Sequence, residues 1–179
     1  MRIEQLRGSN VRKLKNFELE PGGDLNIFFG KNGSGKTSLL ESIHLLGYGR
    51  SFRTRRTSEV VTKGESVLDA FCVVDSQAVG RSRIGLEKTG SRTRIRVNGD
   101  DLSSSSGLAR RLPVIFIGPD CSRLLEESEL RRRVINWIMF HVEPQFLVAY
   151  QRFNRALRQR NAALRKGVST QVLRSWDHQ

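Results

Sequence analysis

The sequence predicts an α/β fold in which a buried strand feeds a glycine-rich loop and a helix, with an antiparallel β subdomain and C-terminal helices following. Three observations predict it. The apolar run Leu25-Asn26-Ile27-Phe28-Phe29 leads directly into Gly30-Lys31-Asn32-Gly33-Ser34-Gly35-Lys36-Thr37. Beyond that loop, Leu39, Leu40, Ile43 and Leu46 recur at helical spacing. Further along, short alternating segments separated by turn-formers give way to helical periodicity from about Ser128.

Each element has its own signal. Arg2 to Leu6 alternates weakly, as a short strand does, and Phe17-Glu18-Leu19-Glu20 alternates clearly. Pro21-Gly22-Gly23-Asp24 is a turn by composition. The Leu25–Phe29 run is expected as a buried strand, and the helix from Thr37 is expected to stop at Gly47. Val67 to Val74, Arg83 to Leu86 and Arg92 to Val97 read as strands, with Asn98-Gly99 a tight-turn pair. Ser103 to Gly107 reads as a loop, and Val114-Ile115-Phe116-Ile117 as another buried strand. One later helix carries Val134, Ile135, Ile138, Met139 and Val142 on a face; the next, after Glu143-Pro144, carries Phe146, Tyr150, Phe153, Leu157 and Leu164. We therefore divide the chain into an α/β lobe over 1–120 and a helical segment over 121–179.

Composition narrows the function classes. The chain has 179 residues, 37% hydrophobic and 27% charged, which suits a folded domain. No apolar run approaches the length of a membrane span. Cys72 and Cys121 lie far apart, form no C-x-x-C pair, and suggest a reducing, cytoplasmic setting without a disulfide framework or zinc site. His44, His141 and His178 are too scattered for a metal site, and His44 is expected to pack on its helix. A net charge of +13, spread along the chain rather than gathered in a tail, favours a polyanionic partner, nucleic acid first. Two clusters stand out for that contact: Arg50, Arg53, Arg55 and Arg56, and Arg131, Arg132 and Arg133.

The loop carries the chemistry. Gly30, Gly35, Lys36 and Thr37 meet the pattern G-x-x-x-x-G-K-[ST]. Glycines let backbone approach phosphate closely, and successive N–H groups make a concave anion site. A helix starting at Lys36 adds the positive end of its dipole. Lys36 is the point charge for the β- and γ-phosphates, and the Thr37 hydroxyl the ligand for Mg2+. ATP with magnesium, held by Gly30 through Thr37, is the expected cofactor. Hydrolysis also needs an acid at the end of a buried strand. Asp75, after Phe71-Cys72-Val73-Val74, and Asp120, after Gly118-Pro119, are weak substitutes, so no catalytic residue is assigned.

These residues resemble the RecF family of bacterial recombination mediators, relatives of the ABC-type and chromosome-maintenance ATPases. The resemblance runs from Leu25–Thr37 through Ser38-Leu39-Leu40-Glu41-Ser42-Ile43-His44 and Gly49-Arg50-Ser51-Phe52-Arg53. It continues in Val97-Asn98-Gly99, Arg131–Arg133, Phe140-His141-Val142-Glu143-Pro144, Gln159–Leu164 and Trp176-Asp177. Departures are Pro119-Asp120 where the family has Pro-Glu, and Val134-Ile135-Asn136 where it has Phe-Leu-Asp. The resemblance implies lobe I of an ABC-type ATPase head, from a family about twice as long. The remaining half would hold the signature serine motif and the magnesium-binding acid, so this chain is expected to be a fragment that does not hydrolyse ATP alone. It also implies an ATP-dependent homodimer gripping DNA at single-strand/double-strand junctions, in recombinational repair, replication and the SOS response, with RecR as partner and no membrane. A small P-loop kinase, with Arg53-Thr54-Arg55-Arg56 as a weak lid, and a non-catalytic nucleic-acid-binding module are the alternatives.

Overall fold

The computed structural model describes residues 1–77, 79–90, 92–102, 105–119, 126–143 and 145–165. The chain falls into two compact units, Met1–Gly118 and Pro119–Gln179.

In the first unit, β1 (Arg2–Val11), β2 (Leu14–Leu19), β3 (Val67–Asp75), β4 (Ser82–Thr89), β5 (Arg92–Val97) and β6 (Asp100–Asp101) form an antiparallel sheet in the order β2-β1-β3-β4-β5-β6. Helix α1 (Lys36–Tyr48) packs against it, and α2 (Ser105–Arg111) packs beside α1. The core lies between sheet and helices. Leu6, Leu68, Cys72, Ile84 and Leu86 of the strands meet Leu39, Leu45 and Leu46 of α1 and Leu108 of α2. The two-residue strand period puts every second side chain on this inner face.

Several elements match expectation closely. β5 has the anticipated bounds, and Asn98 and Gly99 both take positive φ (53° and 101°), joining Val97 to its partner Asp100. Others differ. β1 runs to Val11 rather than Leu6, because pairing with β2 and β3 on both sides holds Arg7-Gly8-Ser9 extended without apolar alternation. Ser105 to Gly107, expected within a loop, open a helix that runs to Arg111, with Leu108 and Leu112 anchoring it in the core. Gly47 does not end α1. The helix continues to Tyr48 and ends on Gly49, whose φ of 69° suits a left-handed cap and whose N–H donates to the Leu45 carbonyl at 2.7 Å. Gly47 is instead a packing position: a Cβ there would sit 2.6 Å from Val114 Cγ2 and 2.8 Å from the Leu112 carbonyl.

Two expected buried strands are not strands. Leu25–Phe29 and Val114–Ile117 join no sheet, and Phe29 and Ile117 are 91% and 69% exposed. A strand exists through its neighbours' hydrogen bonds, and a short apolar run without them stays irregular however hydrophobic it is.

In the second unit, α3 (Ser128–Val142) and α4 (Phe146–Arg165) contact one another, with Asn136 Nδ2 donating to Tyr150 Oη at 3.3 Å. The expected apolar faces exist, yet Ile135, Ile138, Val142 and Phe153 are exposed. Among the described residues no helix is long and apolar enough to cross a membrane.

Candidate phosphate-binding site

The loop from Gly30 to Gly35 ends where α1 begins. Gly30, Gly33 and Gly35 take φ of 150°, 80° and 101°, a region side-chain-bearing residues seldom adopt. Gly35 is doubly constrained, since a Cβ there would lie 2.5 Å from Leu14 Cδ2, on the strand beneath. Its carbonyl accepts the Leu39 N–H at 2.9 Å, so the free N–H groups of the first turn face back toward the loop. Lys36 reaches into the same space, its Nζ donating to the carbonyls of Gly30 and Lys31 at 2.7 and 3.0 Å. Thr37 follows in the first turn and is exposed. Glycine cradle, helix N-terminus and centred ammonium together suit a polyphosphate. Beside the loop, Leu14, Phe17, Leu19, Phe28, Phe29 and Leu39 line a largely apolar cleft of ≈ 440 Å³.

Two neighbouring features carried no sequence signal. The β1–β2 turn is Arg12-Lys13, with Arg12 at φ 57°, which its composition gives no reason to expect. That turn brings Lys13 Nζ to 3.5 Å from where a Cβ on Gly33 would stand. It also sends Arg12 to Glu41, a fully buried carboxylate on α1. Arg12 Nε and Nη2 donate to Glu41 Oε2 and Oε1, each at 2.9 Å, and Ser51 Oγ donates to Oε1. Arg53 Nη1 stands 3.7 Å from Oε2. The paired geometry and charge raise the Arg12 guanidinium above its usual pKa. Glu41 thus ties the loop's helix to the Gly49–Arg56 segment.

That segment packs through His44 as well. Its Nδ1 pairs with the Arg50 carbonyl at 2.8 Å, while its ring stacks on Tyr48 and meets the edge of Phe52. Desolvation, the largest influence, holds the imidazole below its ordinary pKa. The histidine packs on its helix as anticipated. Of the arginine candidates, Arg53 is partly committed to Glu41, Arg56 faces Glu59 at 3.6 Å, and Arg50 and Arg55 are exposed. Arg131, Arg132 and Arg133 are exposed on α3, in the second unit, with Arg133 3.4 Å from Glu129.

Position removes Asp75 as a magnesium acid. It pairs with Arg2 at one end of β1, whereas the loop packs on Leu14, which pairs with Val11 at the other end. Nine strand residues at about 3.3 Å each separate those ends by roughly 30 Å. Asp120, Cys121 and His178 lie outside the described residues. Cys72 is buried in the core and its thiol is pushed up to about 12, so it is chemically quiet. No cluster of three or more His, Cys, Asp or Glu suited to a metal occurs among the described residues.

Residues 5–146 match a family described as "AAA domain". The "DNA replication and repair protein RecF" of Stenotrophomonas maltophilia is 39% identical over 184 residues, covering 100% of this chain and 50% of that protein. Among solved structures, "Structure of the recombination mediator protein RecF-ATP in RecFOR pathway" superposes with TM-score 0.77 at 26% identity, covering 98% of this chain and 49% of that one. A structure from work on ATP-driven dimerization of SMC ATPases shares the fold, with TM-score 0.61 at 19% identity over 77% of this chain and 99% of that one. The chain spans about half the length of the curated relatives it matches.

Proposed function

We propose a function from one premise: the chain belongs to the AAA-domain family and, within it, to the RecF group, whose N-terminal half it matches. It is the nucleotide-binding portion of an ATP-dependent DNA repair and replication protein, acting in the cytoplasm. ATP sits with its phosphates in the Gly30–Gly35 cradle, Lys36 on the β- and γ-phosphates and Thr37 on magnesium. The observation that carries this reading is the cradle itself: three positive-φ glycines, a helix start and Lys36 Nζ inside the loop. The likeness to a RecF solved with ATP supports the choice of nucleotide.

DNA is held by Arg50, Arg55 and Arg56, with Arg131, Arg132 and Arg133 as a second contact. Arg53 acts mainly through its hold on Glu41. Contacts of this kind go to the phosphate backbone, so base preference is slight. An ATP-dependent homodimer and RecR are the expected assembly, serving recombinational repair, replication and the SOS response. Without a magnesium-binding acid near the loop among the described residues, this chain alone holds ATP without turning it over.

Fluorescence anisotropy on a junction oligonucleotide tests the DNA reading. Affinity is expected to fall about tenfold or more between 50 and 200 mM salt, as phosphate contacts release counterions. Salt-independent binding, or none at low salt, would contradict it.

A further inference from the structure

Ser82, Ile84, Leu86 and Lys88 share the inner face of β4, and Lys88 is out of place there. It is 6% exposed. Its Nζ donates to Thr93 Oγ1, directly across in β5, at 2.9 Å. That is its one hydrogen bond among the described residues, and no carboxylate pairs with it there. A buried ammonium with unused protons and no counter-charge is expensive, and cores avoid it unless an anion completes the site. Desolvation accordingly holds the Lys88 pKa below its ordinary value.

Lys88 is also not enclosed by apolar side chains. It lines a cavity of ≈ 240 Å³ with Arg50, Ser51, Thr54, Arg55, Arg56 and Val60. Four cations therefore border one concavity. Among the described residues no carboxylate lines it, and the two that pair with this segment are already engaged: Glu41 by Arg12 and Arg53, and Glu59 by an exposed pairing with Arg56. The cavity wall is fixed by Ser51 Oγ, which accepts the Arg53 and Thr54 N–H groups at 2.9 and 3.2 Å. Guanidinium forks lining the same cavity as a buried ammonium suit an oxyanion, and a phosphate group offers the most acceptor oxygens to four cations.

We propose that this cavity is a second phosphate site, separate from the Gly30–Thr37 loop, in which Lys88 is the buried counter-charge for a single phosphate group. It deepens the DNA reading and rests on it only for the source of that phosphate, a nucleic-acid backbone or a small free phosphate.

The test titrates inorganic phosphate by calorimetry into the chain carrying Lys36→Ala, which silences the loop. Adding Lys88→Met, which keeps the aliphatic bulk, is expected to weaken phosphate binding about tenfold or more, while adding Arg92→Gln changes it by less than about twofold. Lys88→Met should also raise the melting temperature in phosphate-free buffer, because an uncompensated buried charge is gone. Unchanged phosphate affinity with a lowered melting temperature would mean that Lys88 serves only its bond to Thr93, and would overturn the proposal. So would a Lys36→Ala chain that binds no phosphate. Should the Lys88 variant not fold, Arg55→Gln, at an exposed lining position, is expected to weaken phosphate binding about fivefold, and no change overturns the site. An oligothymidylate that displaces the phosphate identifies a backbone source; failure to displace identifies a small anion. A failed DNA reading would leave the phosphate titration intact, so the two are separable.

Discussion

Replacing Glu41 with glutamine removes one charge from a site that water does not reach. In the native arrangement both carboxylate oxygens accept from Arg12 at 2.9 Å, Ser51 donates to one, and Arg53 lies 3.7 Å from the other. Glutamine keeps one acceptor. Its NH2 then faces a guanidinium N–H, donor against donor, and Arg12 loses its hydrogen-bonded counter-charge, keeping only the weaker pull of Glu59. Losing one charge-assisted hydrogen bond costs about 1.5–3 kcal/mol, and breaking a fully buried pair costs about 3–5 kcal/mol. The Arg12 side chain is 19% exposed, so water recovers part of its charge. We expect a loss of about 2–3 kcal/mol, near the lower range. For a chain of this size that lowers the melting temperature by roughly 5–10 °C. Urea denaturation followed by circular dichroism measures it, read from the midpoint at constant slope. Arg12→Gln should then add little to Glu41→Gln, with a coupling of about 1 kcal/mol or more. A loss under about 0.5 kcal/mol, or strict additivity, would refute the buried pairing.

Gly47→Ala should destabilise by about 1–3 kcal/mol despite alanine's better helix propensity, because its Cβ would meet Val114 and the Leu112 carbonyl at 2.6 and 2.8 Å. Denaturation against wild type checks this, and a gain in stability would contradict the packing. For His44, the unfolded imidazole takes a proton near 6.5 while the folded one resists it. The unfolded state thus binds more protons below that pH, so stability falls as pH drops from 6.5 toward the folded value. Urea midpoints measured from pH 7.5 to 5 should show this slope in wild type and a shallower one in His44→Asn. Equal slopes would remove the buried-imidazole account.

Legibility in the sequence followed the range of the forces involved. The positive-φ glycine loop, the start of α1, β5 and the Asn98-Gly99 turn are set by neighbours in sequence and are readable from it, whereas the end of α1 is not. The long β1, by contrast, is imposed by partners on both flanks. Leu25–Phe29 and Val114–Ile117 showed the converse: a strand's composition without strand partners among the described residues. The Arg12–Glu41 pairing spans 29 positions and depends on an Arg-Lys turn that no turn preference suggests. Lys88 had a latent signal, since continuing the two-residue period from Ile84 and Leu86 places a lysine on the inner face. Arginine clusters were visible as charge, yet only the structure separates Arg53, engaged with Glu41, from the exposed Arg50 and Arg55.

Calorimetric titration of magnesium-ATP into the chain and into Lys36→Ala bears most directly on the central claim. Lys36 Nζ lies within the loop, 2.7 Å from the Gly30 carbonyl, where it would meet the β- and γ-phosphates. Wild type is expected to bind, and Lys36→Ala to bind about tenfold more weakly or worse with its fold intact. Equal affinity in the two proteins would contradict the assignment of Gly30 to Thr37 as the nucleotide site.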